Sequence, residues 1–371
     1  MTIVFIIFVV CTTVQILYWL GIFSRLAFYE HPENHRSTAG ADGEGVSVIV
    51  CAHNELHNLK KLLPRLNAQD HPLYEVILMD DRSTDGTEAW FRRQEVTLPN
   101  FRLVRIAGVP QGYNPKKHAL TEGIKAARHE LLVLTDADCL PVSDSWISDI
   151  SRRYQKNTDI VLGYSGYQQA AGMLNKLIRY ETLITAIQYL SRALSQRPYM
   201  GVGRNLSYRK SFFNRVGGLN GVMNVTGGDD DLLVNKHASS SNTAVCLAPG
   251  SVVLSVPKTS WRAYFRQKVR HLSTGKYYRT GSKLILGIFS LSHIIFWSSL
   301  VSLLITQTLV YWVAAGFLLR QVALSWVVGR SARKLDEHIN SFYLPLLDLL
   351  FSVSYLFTGL AALTTRRISW H

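Results

Sequence analysis

Leu131–Pro141 reads LLVLTDADCLP. Four apolar residues run without a polar break, then Asp136 and Asp138 bracket a single alanine, and a proline closes the stretch. A short continuous apolar run bounded by a turn is the pattern of a strand buried on both faces. Val46–Ala52 (VSVIVCA), Glu75–Met79, Arg102–Ile106 and Asp159–Gly163 have the same character. Helical patterns at Leu56–Leu66, Glu88–Glu95 and Ala119–Arg128 lie between the first four strands. Strands alternating with helices predict βαβ units and a parallel sheet. Such sheets bind ligands beyond the carboxyl ends of their strands, and that is where Asp80, Asp81, Asp136 and Asp138 fall.

The chemistry of these acids follows from charge. Two carboxylates spaced D-x-D on a turn suit a hard divalent ion, which in turn neutralises a diphosphate. Isolated acids at strand ends also serve as turn and cap residues. A third cluster, Gly227-Gly228-Asp229-Asp230-Asp231, precedes a helical pattern through Ala238. Three adjacent acids repel one another unless a cation, a helix N-terminus or a proton relieves them. One of them is therefore a candidate general base with a raised pKa. The phosphate cradles G-x-x-x-x-G-K-[ST] and strand-borne G-x-G-x-x-G do not occur in the sequence.

The apolar residues outside this region are clumped at the two ends of the 371-residue chain. Thr2–Phe23 is uncharged and long enough to cross a bilayer. It lacks a positive leading region and a small-residue cleavage site, so it reads as a retained span rather than a cleaved leader. Leu284–Ile305, Thr308–Val328 and Phe342–Leu363 are three more candidates, the first two joined as a tight hairpin. Arg320 and Asp348 sit inside predicted spans at comparable depth, and a pair between them is expected.

The net charge is +14. Positive-inside bias places the middle section in the cytoplasm; Arg330, Arg333 and Lys334 agree, whereas Arg366 and Arg367 do not. Lys258–Lys283 carries eight Lys and Arg, no acid, and interleaved Trp261, Tyr264, Phe265, Tyr277 and Tyr278. Beside a membrane span this pattern reads as an interfacial segment binding membrane lipids, not nucleic acid. Met173–Leu194 reads as an amphipathic helix on the same surface. The predicted division is a span at 1–24, a cytoplasmic domain at 25–257, the basic segment at 258–283 and a membrane region at 284–371. The four cysteines lack metal-site spacing, and Cys51, Cys139 and Cys246 read as packing residues.

Taken in order, Val46–Glu55 (VSVIVCAHNE), Asp80-Asp81 with Ser83, Lys116 in PKKHAL, Thr135–Asp138, Asn205 in GVGRNLSYRKSFF, Gly228–Leu233 and Gln267–Arg270 resemble the family 2 glycosyltransferases. The likeness runs over roughly Val46–Lys283 and is nearest to the membrane-embedded branch of cellulose, hyaluronan and poly-N-acetylglucosamine synthases. It implies an α/β, GT-A (Rossmann-like) nucleotide-sugar-binding domain with transmembrane helices at both ends. It also implies a divalent cation (Mg2+ or Mn2+), a nucleotide-sugar donor such as a UDP-sugar, and inversion at the anomeric carbon.

Carried over by position, Asp81 binds the base, and His53 and Glu55 line the nucleoside pocket. Lys116 lies by the nucleotide, and Asp136 and Asp138 form the D-x-D pair, with Asp138 the direct metal contact. Asp230 is the catalytic base, and Asp229, Gln267 and Arg270 serve the acceptor and diphosphate. His271 stands where the family's Q-x-x-R-W motif has Trp. The implied function is an inverting membrane glycosyltransferase acting on a lipid-linked or polysaccharide hydroxyl. The alternative is a processive synthase that also translocates its product. A sugar- or lipid-binding membrane protein without catalysis is the competing class, and the retained acids weigh against it.

Overall fold

The computed structural model describes residues 2–30 and 43–364. The chain forms two compact units. Of the described residues, one holds 43–168 together with Gln196–Val256; the other holds 2–30, Gln169–Ser195 and 257–364.

The first unit is built on ten strands: β1 (Val46–Ala52), β2 (Tyr74–Asp80), β3 (Phe101–Arg105), β4 (Leu131–Asp136), β5 (Cys139–Pro141), β6 (Ile160–Leu162), β7 (Ser165–Tyr167), β8 (Leu206–Arg209), β9 (Thr243–Val245) and β10 (Val253–Ser255). Seven form one sheet in the order β3-β2-β1-β4-β8-β6-β9, and β5-β10-β7 form a small second sheet. The parallel sheet predicted from the alternation is present in β3, β2, β1 and β4. Beyond β4 the prediction needs correction, because β8 runs antiparallel to both β4 and β6. An antiparallel neighbour needs no crossover helix, and the chain arrives at β8 from a short helical turn at Gly203–Asn205 instead.

Packing explains why these segments fold so. In β1, β2 and β4 nearly every side chain is buried, as continuous apolar strands covered on both faces require. The Leu56–Asn67 helix buries Leu59, Leu62, Leu63 and Leu66, an i, i+3, i+4, i+7 stripe against that sheet. The Pro115–Ala126 helix starts with proline in its first turn, and Asn114 accepts the Lys117 N–H as its cap. Gly123 lets this helix approach the sheet: a Cβ there would lie 2.9 Å from Ile49 Cγ2. That seating fixes where Lys116 projects.

In the second unit, among the described residues, four helices are long and apolar enough to cross a membrane: Thr2–Ile22, Thr280–Ile305, Val310–Lys334 and Ser341–Thr364. At about 1.5 Å per residue the 26-residue helix is roughly 39 Å long, more than a ~30 Å hydrocarbon core. The expected pair is present. Arg320 bonds Asp348 with two nitrogens, one of them at 3.2 Å, and its Nη2 also donates to Gln15 at 3.1 Å. Tyr180 (3.0 Å) and Trp297 (2.9 Å) donate to the same carboxylate, and His293 lies 3.2 Å from it. One acid thus ties together four helices.

The Met173–Leu194 helix corrects the surface reading. Its Tyr180 and Tyr189 are buried, along with much of the helix, and it packs inside this unit. Its Arg179 pairs with Glu337 at 2.7 Å, and Glu181 also has its partners within the unit. Tyr264 donates to Glu181, and Lys268 pairs with it at 3.0 Å. Those contacts seat the basic segment, which is an α-helix over Trp261–Ser273, a short 3-10 turn at Thr274–Tyr277, and from Thr280 the start of the next long helix.

Candidate active site

The sheet places β1 at the centre of the acidic residues. Its Ala52 is in register with Asp80 of β2, and its Cys51 with Asp136 of β4, so the two neighbours end in carboxylates one residue apart along β1. The two acids of Asp80-Asp81 then part company. Asp80 is fully buried, accepts the Ser83 N–H at 3.1 Å and pairs with Arg105 at 2.7 Å, so it holds the β2 turn. Asp81 is buried beside its neighbour Arg82, with a 2.8 Å contact from Nε.

His53 Nδ1 lies 2.5 Å from the Asp81 carbonyl oxygen, joining the β1 and β2 loops. Asn54, in the left-handed region at φ 56°, donates its N–H to Ser83 and accepts the Thr84 N–H at 2.8 Å. Glu55 accepts from Asn58 at 2.6 Å.

The second group surrounds Lys116. Its Nζ bridges Asp136 at 2.9 Å and Asp229 at 3.2 Å. Burial alone would push this ammonium's pKa down; Asp136, Asp229 and Asp230 outweigh burial and hold it well above the ordinary lysine value. Burial pushes Asp229 the other way, and Lys116 overcomes it, leaving this carboxyl below its usual range.

Asp230 has no such compensation. Burial first, then Asp229 and Asp231, raise it to about 7, against the opposing pull of Lys116 and of the Gly203 N–H. Its Oδ2 accepts that N–H at 2.5 Å, and its Oδ1 accepts the Asp231 N–H at 2.7 Å at the start of the Asp231–His237 helix. A Cβ on residue 203 would lie 3.1 Å from Oδ2, so a side chain there would push the carboxylate or the loop by a few tenths of an ångström.

Asp136 and Asp138 offer oxygens that lie, with the Cys139 sulfur, within 4.8 Å of one another. Burial pushes the Cys139 thiol well up, so it stays protonated, and the available donors are two carboxylates. Oxygen donors of this kind fit a hard divalent ion. Burial likewise raises the Cys51 thiol to about 12, with Lys116, Asp136, Asp229 and Asp81 all acting on it.

Arg204 escaped the sequence reading. Its guanidinium stacks 4.5 Å from the Tyr167 ring and donates to the Ser165 carbonyl at 3.3 Å. Burial lowers its pKa, and the surrounding Tyr167, Cys139, Asp138 and Asp136 more than restore it. Among the described residues its buried Nη1 has no hydrogen-bond partner. The available signal was a cation in the glycine loop before β8, the strand beside β4. The neighbouring Asn205 is a pillar: it accepts from Trp146 and donates to the Tyr164 and Ser251 carbonyls, both at 2.7 Å. Gln267 and Arg270 lie on the Trp261–Ser273 helix of the other unit.

Residues 47–217 match the profile described as Glycosyl transferase family 2. The chain carries a family 2 glycosyltransferase domain. It is 26% identical over 183 residues to a poly-beta-1,6-N-acetyl-D-glucosamine synthase of Staphylococcus epidermidis, covering 46% of this chain and 42% of that protein. It is 30% identical over 123 residues to a dolichol-phosphate mannosyltransferase of Pyrococcus furiosus, covering 32% of each. These matches thus span less than half of the curated relatives' length. A mannosyltransferase from Pyrobaculum calidifontis, solved with GDP-Man and Mn2+, matches with a TM-score of 0.62 over 97% of this chain and 98% of its own, at 18% identity. That likeness is one of fold, and the family 2 domain is GT-A-like. Asp136, Asp138 and the start of β8 lie within the matched residues 47–217; Asp229 and Asp230 lie beyond them.

Proposed function

We propose that the protein is a membrane glycosyltransferase that moves a sugar from a nucleotide-sugar donor to a hydroxyl of a lipid-linked or polysaccharide acceptor, with inversion. Asp230 is the observation that carries this reading. A carboxyl raised to about 7 and aimed by two backbone N–H groups is suited to take a proton near neutral pH.

The acceptor O–H gives its proton to Asp230 as its oxygen attacks the anomeric carbon. The bond from that carbon to the diphosphate oxygen breaks, and the electron pair leaves with the diphosphate. A single displacement from the opposite face inverts the centre without a covalent enzyme intermediate. Negative charge grows on the leaving diphosphate, and two cations of this chain stand by: Lys116 and Arg204, whose buried Nη1 is available.

Asp136 and Asp138 would hold a divalent ion, Mg2+ or Mn2+, which when bound supplies further neutralisation of the diphosphate. His53 and Asp81, joined across the β1 and β2 loops, serve the nucleoside, with Glu55 beside them. Asp229 keeps Lys116 charged and in place. Gln267 and Arg270 are assigned to the acceptor and diphosphate side. The dolichol-phosphate and polysaccharide substrates named for the relatives support a lipid-linked or glycan acceptor. The charge bias of the sequence supports a cytoplasmic catalytic domain.

The test is turnover of radiolabelled nucleotide sugars by the purified full chain in detergent, with lipid extract as acceptor source, with and without Mn2+ or Mg2+. Ion-dependent transfer that vanishes in Asp230→Asn supports the assignment. Undiminished transfer in that variant overturns it.

A further inference from the structure

The membrane unit contains a cavity of about 640 Å³ outside the carboxylate site. It lies where the Val310–Lys334 helix ends and the Ser341–Thr364 segment begins. Trp326, Arg330, Arg333, His338 and Leu344 line it. We propose that this cavity binds the phosphate headgroup of an anionic membrane lipid, whose chains run along the apolar outer face of the Val310–Lys334 helix.

Charge is the first argument. Glu337 is the acid lining the cavity, and it is already neutralised by Arg179 at 2.7 Å. Among the described residues neither Arg330 nor Arg333 has a carboxylate partner, which leaves the cavity net positive. Arg330 is held rather than waving in solvent. Its Nε donates to the Ala27 carbonyl at 3.3 Å, and its guanidinium lies 5.7 Å from the Trp326 ring and 5.8 Å from the Phe28 ring. A guanidinium stacked on aromatics and bonded through Nε keeps its terminal nitrogens as a preformed fork, the geometry that takes a phosphate bidentately.

Depth is the second argument. The cavity begins one turn toward the span from Arg330, at Trp326, and continues to the charged end at Arg333. Farther along the same helix Leu318 (59%), Leu319 (64%) and Val322 (67%) are exposed. An apolar wall, then an indole, then two arginines follows the order of acyl chain, interface and headgroup. A basic pocket at a span's end is the form such lipid recognition takes. This site is separate from the basic Trp261–Ser273 helix and does not depend on the glycosyl-transfer reading.

The full chain in detergent is melted with added phosphatidylglycerol, phosphatidylcholine, undecaprenyl phosphate or inorganic phosphate. Phosphatidylglycerol or undecaprenyl phosphate should raise the melting temperature by about 3 °C or more at saturating lipid, and phosphatidylcholine should not. Whichever anionic lipid gives the larger shift identifies the source of the headgroup. Arg330→Gln/Arg333→Gln should lose the shift. Equal shifts with phosphatidylcholine, a full shift with inorganic phosphate alone, or a full lipid shift in the double variant would each overturn the proposal.

Should the double variant fail to fold, Arg333→Gln alone, at an exposed position, and Ser325→Trp, which fills the cavity, are read by native mass spectrometry. Retention of as much phosphatidylglycerol as the unaltered chain in both would also overturn it.

Discussion

The backbone N–H of Gly203 donates to Oδ2 of Asp230 at 2.5 Å, close enough that a Cβ on residue 203 would press on that oxygen. The loop before β8 therefore aims the acid that is raised to about 7. Gly203→Ala forces the carboxylate or the loop to move, because a Cβ would sit 3.1 Å from that oxygen. The expected result is a fall in kcat of about tenfold to a hundredfold, of the size misaligned groups produce, with donor binding close to unchanged. Steady-state kinetics and donor titration check it; a loss confined to KM would contradict the aiming role.

The raised pKa of Asp230 sets the pH profile. As a base it must be unprotonated, so kcat/KM should rise about tenfold per pH unit up to around pH 7 and level above it. Asp230→Asn should remove that limb together with at least about a hundredfold of activity. A flat profile between pH 5 and pH 8 in the unaltered chain would assign the base elsewhere.

The same shift makes a stability claim of opposite sign to the usual aspartate. A folded-state pKa near 7 lies above the unfolded value, so between about pH 4 and pH 7 the folded chain binds more protons and loses stability as pH rises. Asp230→Asn does not titrate. Its melting temperature relative to the unaltered chain should therefore improve from pH 5.5 to pH 8.5, whatever fixed cost the substitution carries. Melting curves at the two pH values decide this, and a constant difference would refute it.

Lys116 is the cation that lets the acids of the hollow coexist, with Asp136 at 2.9 Å and Asp229 at 3.2 Å. Lys116→Met leaves these carboxylates and Asp230 facing one another. Removing one partner of a buried pair costs about 3–5 kcal/mol, and added divalent ion should recover part of it by taking the lysine's place. Calorimetry with and without Mn2+ measures both effects. Lack of any metal rescue would argue against an ion on Asp136 and Asp138.

Much of the parallel sheet, and the strand ends that carry its acids, was legible because the physics was local. Continuous apolar runs in β1, β2 and β4 allow no other burial, and acids directly after such strands must lie at their carboxyl ends. The pieces that stayed hidden are short or depend on distant partners. β5, β7, β9 and β10 have three residues each, too few to show a period. β8 reads LSYR, and its place beside β4 rests on Ser207 and Tyr208, which are buried and polar. Tyr154 meets the Ser207 hydroxyl at 2.6 Å across 53 positions, a contact no local window contains. Arg204 looked like an ordinary loop cation for the same reason. The Met173–Leu194 helix reads as a surface element because Arg179 and Arg192 signal one, until Glu337, far along the chain, is seen to pair with Arg179.

The membrane pair gives the last prediction. Arg320 and Asp348 are almost wholly buried, and Gln15, Tyr180, Trp297 and His293 crowd the same carboxylate or guanidinium. Asp348→Leu leaves a buried guanidinium without its anion, a loss of about 3–5 kcal/mol in the reference case of a broken buried pair. Arg320→Leu leaves the carboxylate with neutral donors and should cost less, because Tyr180 and Trp297 still satisfy it. Arg320→Leu with Asp348→Leu removes both charges and should recover most of the stability that either single variant loses, since apolar replacement of a buried pair is often neutral or better. Thermal unfolding of the four proteins in detergent supplies the double-mutant cycle. Strict additivity would show that the two residues act independently despite their contact.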